Sequence, residues 1–283
     1  MTPGGLVIVR GGGDLGTGVA HRLAVAGYRV AVLEVSAPRV VRRTVAFAEA
    51  VRTGEVEVEG VSARMTSLEE LARLDGRGEG SQRRGWPDWV PVVVDPHGEA
   101  IRLLRPDAVV DARMAKRNLG TRRDDAPVTI GLGPGFVAGS DVDVVVETKR
   151  GHTLGRVIVS GAAEPNTGVP GEVAGFSAER VMRAPAAGRF VAARSIGDLV
   201  RAGDSVGTVG GVAVRAQIDG LLRGLVASGV ELSAGDKVGD VDPRGTAVDP
   251  TVISDKARAI GGGVLEALLG RGILPGLRTA AEE

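Results

Sequence analysis

LVIVRGGGDLG, Leu6 to Gly16, is the stretch on which the fold turns. The apolar run Leu6–Arg10 ends in three glycines, the pattern of a short buried strand. Thr17–Ala26 then carries helical spacing and stops at Gly27, a residue suited to the position just past a helix end. Arg29–Glu34 (RVAVLE) reads as a second strand. The opening therefore spells a β–α–β unit. Gly11-Gly12-Gly13-Asp14-Leu15-Gly16 satisfies G-x-G-x-x-G between strand and helix, and Glu34 closes the next strand near the ~20-residue spacing of dinucleotide sites. In that reading Gly11 permits the tight turn, Gly13 admits a pyrophosphate and Gly16 packs helix on strand. The helix N-terminus offers free N–H groups to phosphate, and Glu34 accepts from a ribose diol. Asp14 reads as the helix N-cap, and the whole loop from Gly11 to Gly16, Asp14 and Leu15 included, is expected to border the ligand.

Outward from this unit the pattern continues. Arg43–Val51 has helical spacing. Glu55–Glu59 and Val61–Met65 alternate about Gly60 like a hairpin. Ser67, with Glu70 three residues on, is a capping box. Asp75–Trp89 (DGRGEGSQRRGWPDW) reads as a surface loop whose tryptophans anchor its far end. Pro91–Val94, Ala108–Asp111 and Val128–Leu132 are further apolar runs, and Val142–Glu147 and Arg156–Ser160 add two strands. This succession predicts an open α/β fold, a Rossmann-like, mostly parallel sheet with crossover helices.

Ligands of such sheets sit beyond the carboxyl ends of the strands. Asp111, Arg113 and Lys116 follow one strand, and Gly133 and Gly135 follow another, so both segments are predicted to face the same ligand. His152 reads as an exposed loop histidine, and Arg39, Arg42 and Arg43 as a solvated helix start. The turn-rich segment 164–171 receives no role.

The second part holds an internal repeat. Residues 184–209 and 216–241 align without gaps at an offset of 32, pairing Gly188 with Gly220, Gly197 with Gly229, Gly203 with Gly235 and Asp204 with Asp236. Such register is structural and resembles the pseudo-symmetric β-sandwich (barrel-sandwich) of lipoyl and biotinyl carriers. The connection Gly210–Arg215 carries no lysine, which excludes a covalent swinging arm. Ser254–Leu269 reads as a C-terminal helix. The predicted domains are 1–180, Rossmann-like; 181–245, the repeated sandwich; and 246–283, the helix and tail.

Composition narrows the chemistry. The 283 residues are 43% hydrophobic but 2% aromatic, so Val, Leu, Ala and Ile must build the core. Thirty-five cationic side chains balance 35 acidic ones, leaving no field to attract nucleic acid or an acidic membrane. Cysteine is absent, which excludes disulfides, thiolate metal sites and a cysteine nucleophile. His21, His97 and His152 are far apart, so no metal site is predicted. No run approaches the ~20 apolar residues of a membrane span, and the first strand begins without a signal-peptide pattern. A cytoplasmic protein is expected.

Taken together, VIVRGGGDLGTGVAHRL, RRTVAFAEAV, VVDARMAKRNLGT, LGPGF, ETKRGHTLGRVI, PNTGVPGE and ISDKARAIGGGVLEALL resemble the YqeB-type family from about Leu6 to Leu269. That resemblance implies an accessory protein of selenium-dependent molybdenum hydroxylase systems, partnered by the hydroxylase or its maturation machinery. Its ligand is then expected to be a nucleotide-bearing small molecule, with NAD or molybdopterin dinucleotide as the candidate cofactors. Docking to a partner or to another copy would fall to the repeat. An NAD-dependent oxidoreductase acting on a cofactor precursor, and a non-catalytic scaffold, are the alternative expectations.

Overall fold

The computed structural model describes residues 4–76, 86–168 and 171–276. They divide into two compact units. The first comprises residues up to Ser36, Phe47–Asn166 and Ile253 onward; the second comprises Ala37–Ala46 and Thr167–Val252.

In the first unit the strands are β1 (Leu6–Arg10), β2 (Arg29–Glu34), β3 (Glu55–Val58), β4 (Val61–Thr66), β5 (Val90–Val94), β6 (Ala108–Asp111), β7 (Val128–Leu132), β8 (Val137–Ala138), β9 (Val144–Val146), β10 (Val157–Ile158) and β11 (Gly161–Ala162). The helices are α1 (Asp14–Val25), α2 (Ala50–Thr53), α3 (Leu68–Leu74), α4 (Glu99–Leu104) and α5 (Asp255–Gly270). Nine strands form one sheet in the order β10-β9-β7-β6-β1-β2-β5-β4-β3, while β8 pairs with β11. The interior pairs from β4 to β9 are parallel. Every residue of β1 and β7 is buried, as strands covered on both faces require, and this is why they read as apolar runs without alternation.

Local signals explain most elements. Ser67 Oγ accepts the Glu70 N–H at 3.1 Å and caps α3. Glu59 and Gly60 both adopt positive φ, 47° and 79°, which closes the two-residue β3–β4 turn in the twist that hairpins favour. The segment read as one helix at 43–51 is instead broken into 3₁₀ turns at Arg43–Val45 and Phe47–Glu49 before α2. α5 packs on α1 through small residues. A Cβ on Gly18 would lie 2.7 Å from the Ala257 Cβ, and one on Gly261 would lie 2.8 Å from the Gly18 carbonyl oxygen. Trp86 packs against the cluster containing Leu6, Leu33, Leu71 and Leu104, and the Arg29 guanidinium stands 5.8 Å from its ring centre. The intervening loop residues 77–85 lie outside the described residues.

In the second unit the strands are β12 (Val181–Arg183), β13 (Gly188–Ala192), β14 (Leu199–Val200), β15 (Ser205–Val209), β16 (Val212–Arg215), β17 (Gly220–Leu225), β18 (Glu231–Leu232) and β19 (Lys237–Asp242). They form two antiparallel sheets, β12-β19-β17-β14 and β16-β15-β13-β18. Shifting each strand by one repeat turns one order into the other, and each sheet takes two strands from each copy. Reciprocal hydrogen bonds follow the same rule. Ala184 N–H donates to Asp236 O at 2.8 Å and Ala216 N–H to Asp204 O at 2.9 Å; Gly197 N–H donates to Leu222 O and Gly229 N–H to Phe190 O. Phe190, Val206, Val209, Leu222, Leu225, Val238 and Val241 form a shared, fully buried core. Residues 37–46 join this unit, with Val41 O accepting the Leu225 N–H at 2.8 Å.

The expected succession of a Rossmann-like parallel domain, a carrier-type barrel-sandwich and an appended helix is corrected by this architecture. The large sheet is mixed, because β3 and β10 return on connections too short for a crossover and so must run antiparallel at its edges. The repeated part forms two antiparallel sheets that recruit residues 37–46. The terminal helix is built into the first unit against α1.

Candidate functional site

The glycine loop is closed by the chain's own groups. Gly11 N–H donates to Leu33 O at 2.8 Å, and Gly12 N–H donates to Glu34 Oε2 at 2.8 Å. Glu34 Oε1 accepts from Val35 N–H. Gly12 O accepts from Thr17 Oγ1 at 3.0 Å and from Ala48 N–H at 2.9 Å. Thr17 Oγ1 in turn accepts the Phe47 N–H at 2.8 Å. The turn Phe47–Glu49 is thus seated across the loop, and a Cβ on Gly12 would stand 2.8 Å from Ala48 N. Gly16 does bring helix onto strand turn, since its Cβ would lie 2.0 Å from Gly11 O. Gly13, not Asp14, is the N-cap of α1, with no side-chain cap bond; Asp14 is the first helical residue and Leu15, the second, is buried.

Beyond β6, Asp111 is 2% exposed. It accepts from the Arg113 N–H and Nε, both at 3.1 Å, and from Thr121 Oγ1 at 2.7 Å. Arg10 Nη1 donates to the same Thr121 hydroxyl at 3.0 Å. Burial pushes the Asp111 carboxyl up, but the Arg113 guanidinium and the Thr121 hydroxyl outweigh it and hold the group below its ordinary range. Arg113 is therefore committed to Asp111.

Lys116 is different. It is exposed, adopts φ 63°, and lies on the loop that Gly135 accommodates, where a Cβ on Gly135 would stand 2.6 Å from Arg117 N. A Cβ on Gly133 would lie 2.3 Å from Thr148 Oγ1, which brings the loop after β7 against the end of β9. There Glu147, 2% exposed, takes the Thr148 and Lys149 N–H groups on Oε1, both at 2.7 Å, and the Glu164 N–H on Oε2 at 2.8 Å. Arg150 forms a two-pronged bridge to Asp255, at 2.7 and 3.1 Å. Next to Asp255 on α5 is Lys256, half-buried and without an ion pair among the described residues. Burial, then the charges of Lys116 and Arg150, hold its amine below the usual lysine range against the pull of Asp14 and Glu147.

Of the residues predicted from sequence, Asp14, Lys116, Gly133 and Gly135 thus gather with Arg150 and Lys256 at the carboxyl edge of the sheet. Gly11, Gly12, Gly16, Glu34, Asp111 and Arg113 are spent on internal contacts. His152 is exposed. Lys256, Arg150 and the covering turn at Phe47 escaped sequence reasoning because they lie far away in the chain. One compositional signal was present: only Lys116, Lys149, Lys237 and Lys256 are lysines among 35 cationic side chains. A cleft of about 580 Å³ lined by Arg102, Arg105, Asp124 and Asp125 lies before the starts of β6 and β7, at the opposite edge.

The first unit is thus an α/β structure with Lys116 on the loop after β6 and Lys256 at the start of α5. The chain is 52% identical over 265 residues to the uncharacterized protein YqeB of Escherichia coli (strain K12), covering 93% of this chain and 47% of that protein. The chain spans about half the length of that curated relative. No family model matches. Solved structures similar to the chain include a succinylglutamate desuccinylase/aspartoacylase from Rhodobacter sphaeroides, with 15% identity and a TM-score of 0.24, and an aspartoacylase family protein from Mesorhizobium loti, with 14% and 0.26. Each alignment covers 84% of this chain and 85% of the other. Likeness at that level assigns no activity here.

The functional expectation is corrected accordingly. The relative is uncharacterized, and the two structures named above carry desuccinylase and aspartoacylase names rather than those of molybdenum hydroxylase accessory proteins or NAD-dependent oxidoreductases. In the structure itself, the Glu34 carboxylate expected to meet a ribose accepts the Gly12 N–H, and Ala48 N–H donates to the Gly12 carbonyl. Among the described residues no helix is long and apolar enough to cross a membrane.

Proposed function

We propose that the carboxyl edge of the nine-stranded sheet binds a small molecule bearing a carboxylate or phosphate group, with Lys256 and Lys116 as its charge partners. Asp14, Gly133 and Gly135 border the site, and Arg150 closes its outer side. One observation carries this reading: Lys256 is half-buried beside Lys116 and Arg150, and it lacks an ion pair among the described residues. An anion placed there relieves both the like-charge repulsion and the lost hydration of the ammonium. Glu147 does not serve that purpose, because its carboxylate already accepts three backbone N–H groups.

The test is calorimetric titration with inorganic phosphate, pyrophosphate and succinate. At least one should bind, and Lys256→Met should weaken it at least tenfold. Absence of binding by all three, or unchanged affinity in a folded Lys256→Met variant, overturns the reading.

A further inference from the structure

We infer that Arg10 holds a small oxyanion, a carboxylate or a phosphate group, in the crevice between the ends of β1 and β6. The site is separate from the one proposed above: Arg10 ends β1, whereas Lys256 stands on α5.

The first observation is a buried cation that no carboxylate meets. Arg10 is 6% exposed. Leu6 and Ile8 of the same strand pack with Leu104 of α4, and the two-residue period of a strand puts Arg10 on that face. Among the described residues its guanidinium makes one hydrogen bond, from Nη1 to the neutral Thr121 hydroxyl at 3.0 Å, and no ion pair. Arg180 and Arg223, two buried arginines of the second unit, each face a carboxylate, Asp240 at 3.8 Å and Asp242 at 3.5 Å. A guanidinium buried without a counter-charge gives up hydration for no return.

The second is that every nearby carboxylate is already engaged. Asp111 is the partner of Arg10 in the β1–β6 register. Its oxygens nevertheless take Arg113 Nε and Nη2 and the Thr121 hydroxyl. Thr121 Oγ1 in turn accepts from Arg10 Nη1 and, at 3.1 Å, from Arg113 Nη2. Two guanidiniums thus converge on one hydroxyl oxygen, with a single carboxylate beside it. Asp95 accepts the Gly98, Glu99 and Ala100 N–H groups, and Asp125 accepts the Arg122 N–H. Burial, then the charge of Arg113, hold the Arg10 guanidinium below the usual arginine range despite Asp111, Asp125 and Asp95.

The third is the place in the sheet. β1 and β6 are parallel neighbours whose chains leave in opposite directions, β1 to β2 and β6 to β7. In open α/β sheets the crevice beyond the strand ends at such a reversal is where ligands enter. Gly98, on the loop after β5, borders Arg10 without a side chain; a Cβ there would stand 3.6 Å from Arg10 Nη2. With Nη1 held by Thr121, the Nε–Nη2 edge of the fork remains, and that edge matches two oxygens of a carboxylate or phosphate. An oxyanion on it supplies the missing counter-charge.

The experiment follows the Arg10 Nε–Hε resonance of the full, ¹⁵N-labelled chain, assigned by its loss in Arg10→Lys. Inorganic phosphate and acetate are titrated separately. With at least one of them the resonance should move and saturate at about millimolar concentration or below, while those of the exposed Arg102 and Arg105 stay in place. The anion that saturates, or the tighter of the two, names the head group. Calorimetry should find its affinity at least tenfold weaker in Arg10→Met, and Lys256→Met should leave the Arg10 shift unaltered. The resonance is read on the wild-type chain, so it decides even if Arg10→Met fails to fold. An Arg10 signal that moves with neither anion, or only in proportion to concentration, marks a hydrated structural arginine and overturns the inference. So does a shift that Lys256→Met abolishes, which places the anion at the other site. Anion binding that depends on Lys256 while Arg10 is silent leaves the first proposal standing, so the two readings fail separately.

Discussion

The carboxylate of Glu34 is hydrogen-bonded to the backbone N–H of Gly12 at 2.8 Å. Its second oxygen holds the Val35 N–H at the same distance. A residue whose position suggests ribose recognition is instead a clasp between the end of β2 and the glycine loop. Glu34→Ala leaves two N–H groups without this acceptor. It should destabilise the protein by about 1–3 kcal/mol, the cost of unmade hydrogen bonds, as read by the denaturant midpoint. An unchanged midpoint would show that the clasp contributes nothing.

Gly203 and Gly235 occupy equivalent turns, with φ of 92° and 86°, and nothing lies within 4 Å of an added Cβ at either. Backbone strain alone should then set the cost of Gly203→Ala and Gly235→Ala, about 1 kcal/mol each. The two values should agree within about 0.5 kcal/mol and add in the double variant. Costs that differ by more than twofold would count against equivalence of the copies.

Asp143 is buried, which raises its pKa, but Arg123 and the Thr129 N–H and hydroxyl donate to it and bring the net shift below the ordinary value. A carboxyl that holds its proton less tightly when folded contributes stability above the unfolded value, about 3.9. That contribution is lost as pH falls through the folded value. The unfolding midpoint should therefore fall as the solution is acidified below about pH 5, and Asp143→Asn should flatten the dependence. An equally steep profile in the variant would assign it to other carboxyls, Asp111 first among them.

Lys256 carries the opposite consequence. Its folded pKa is lowered, so the unfolded chain binds this proton more tightly and the charged amine costs stability at neutral pH. Stability should rise with pH between the folded value and the unfolded one, about 10.4. Lys256→Met should accordingly be more stable than wild type at pH 7, with the advantage shrinking toward pH 10. A destabilised variant at pH 7 would place an unseen counter-charge beside the amine. Paired measurements of thermal midpoint at the two pH values decide it.

Much of the first unit was legible because its signals are local. The apolar run of β1, the hairpin about Gly60 and the cap at Ser67 each depend on neighbours within a few residues. The 32-residue repeat was legible because glycines at turns repeat in register. What the reading missed depends on distance. No local pattern reveals that Phe47 and Ala48 cover Gly12, or that Glu34 is satisfied by the loop it seemed to await a ligand beside. The direction of β10 escaped because an apolar run carries no sign of polarity; the short turn from Glu147 to Arg156 decides it. At the site, Lys116 was legible from its place after a strand. Lys256 was not, because it arrives from the far end of the chain.

That arrival has a consequence for synthesis. Arg22 of α1 donates to Arg258 O of α5, groups 236 residues apart in the chain. Gly18 and Gly261 admit the partner helix at backbone distance. On a ribosome making the protein from its N-terminus, the seam on α1 stays open while everything between α1 and α5 is translated. The α1 seam cannot be sealed until α5 emerges, so a nascent chain stalled before Ser254 should expose that seam to chaperones.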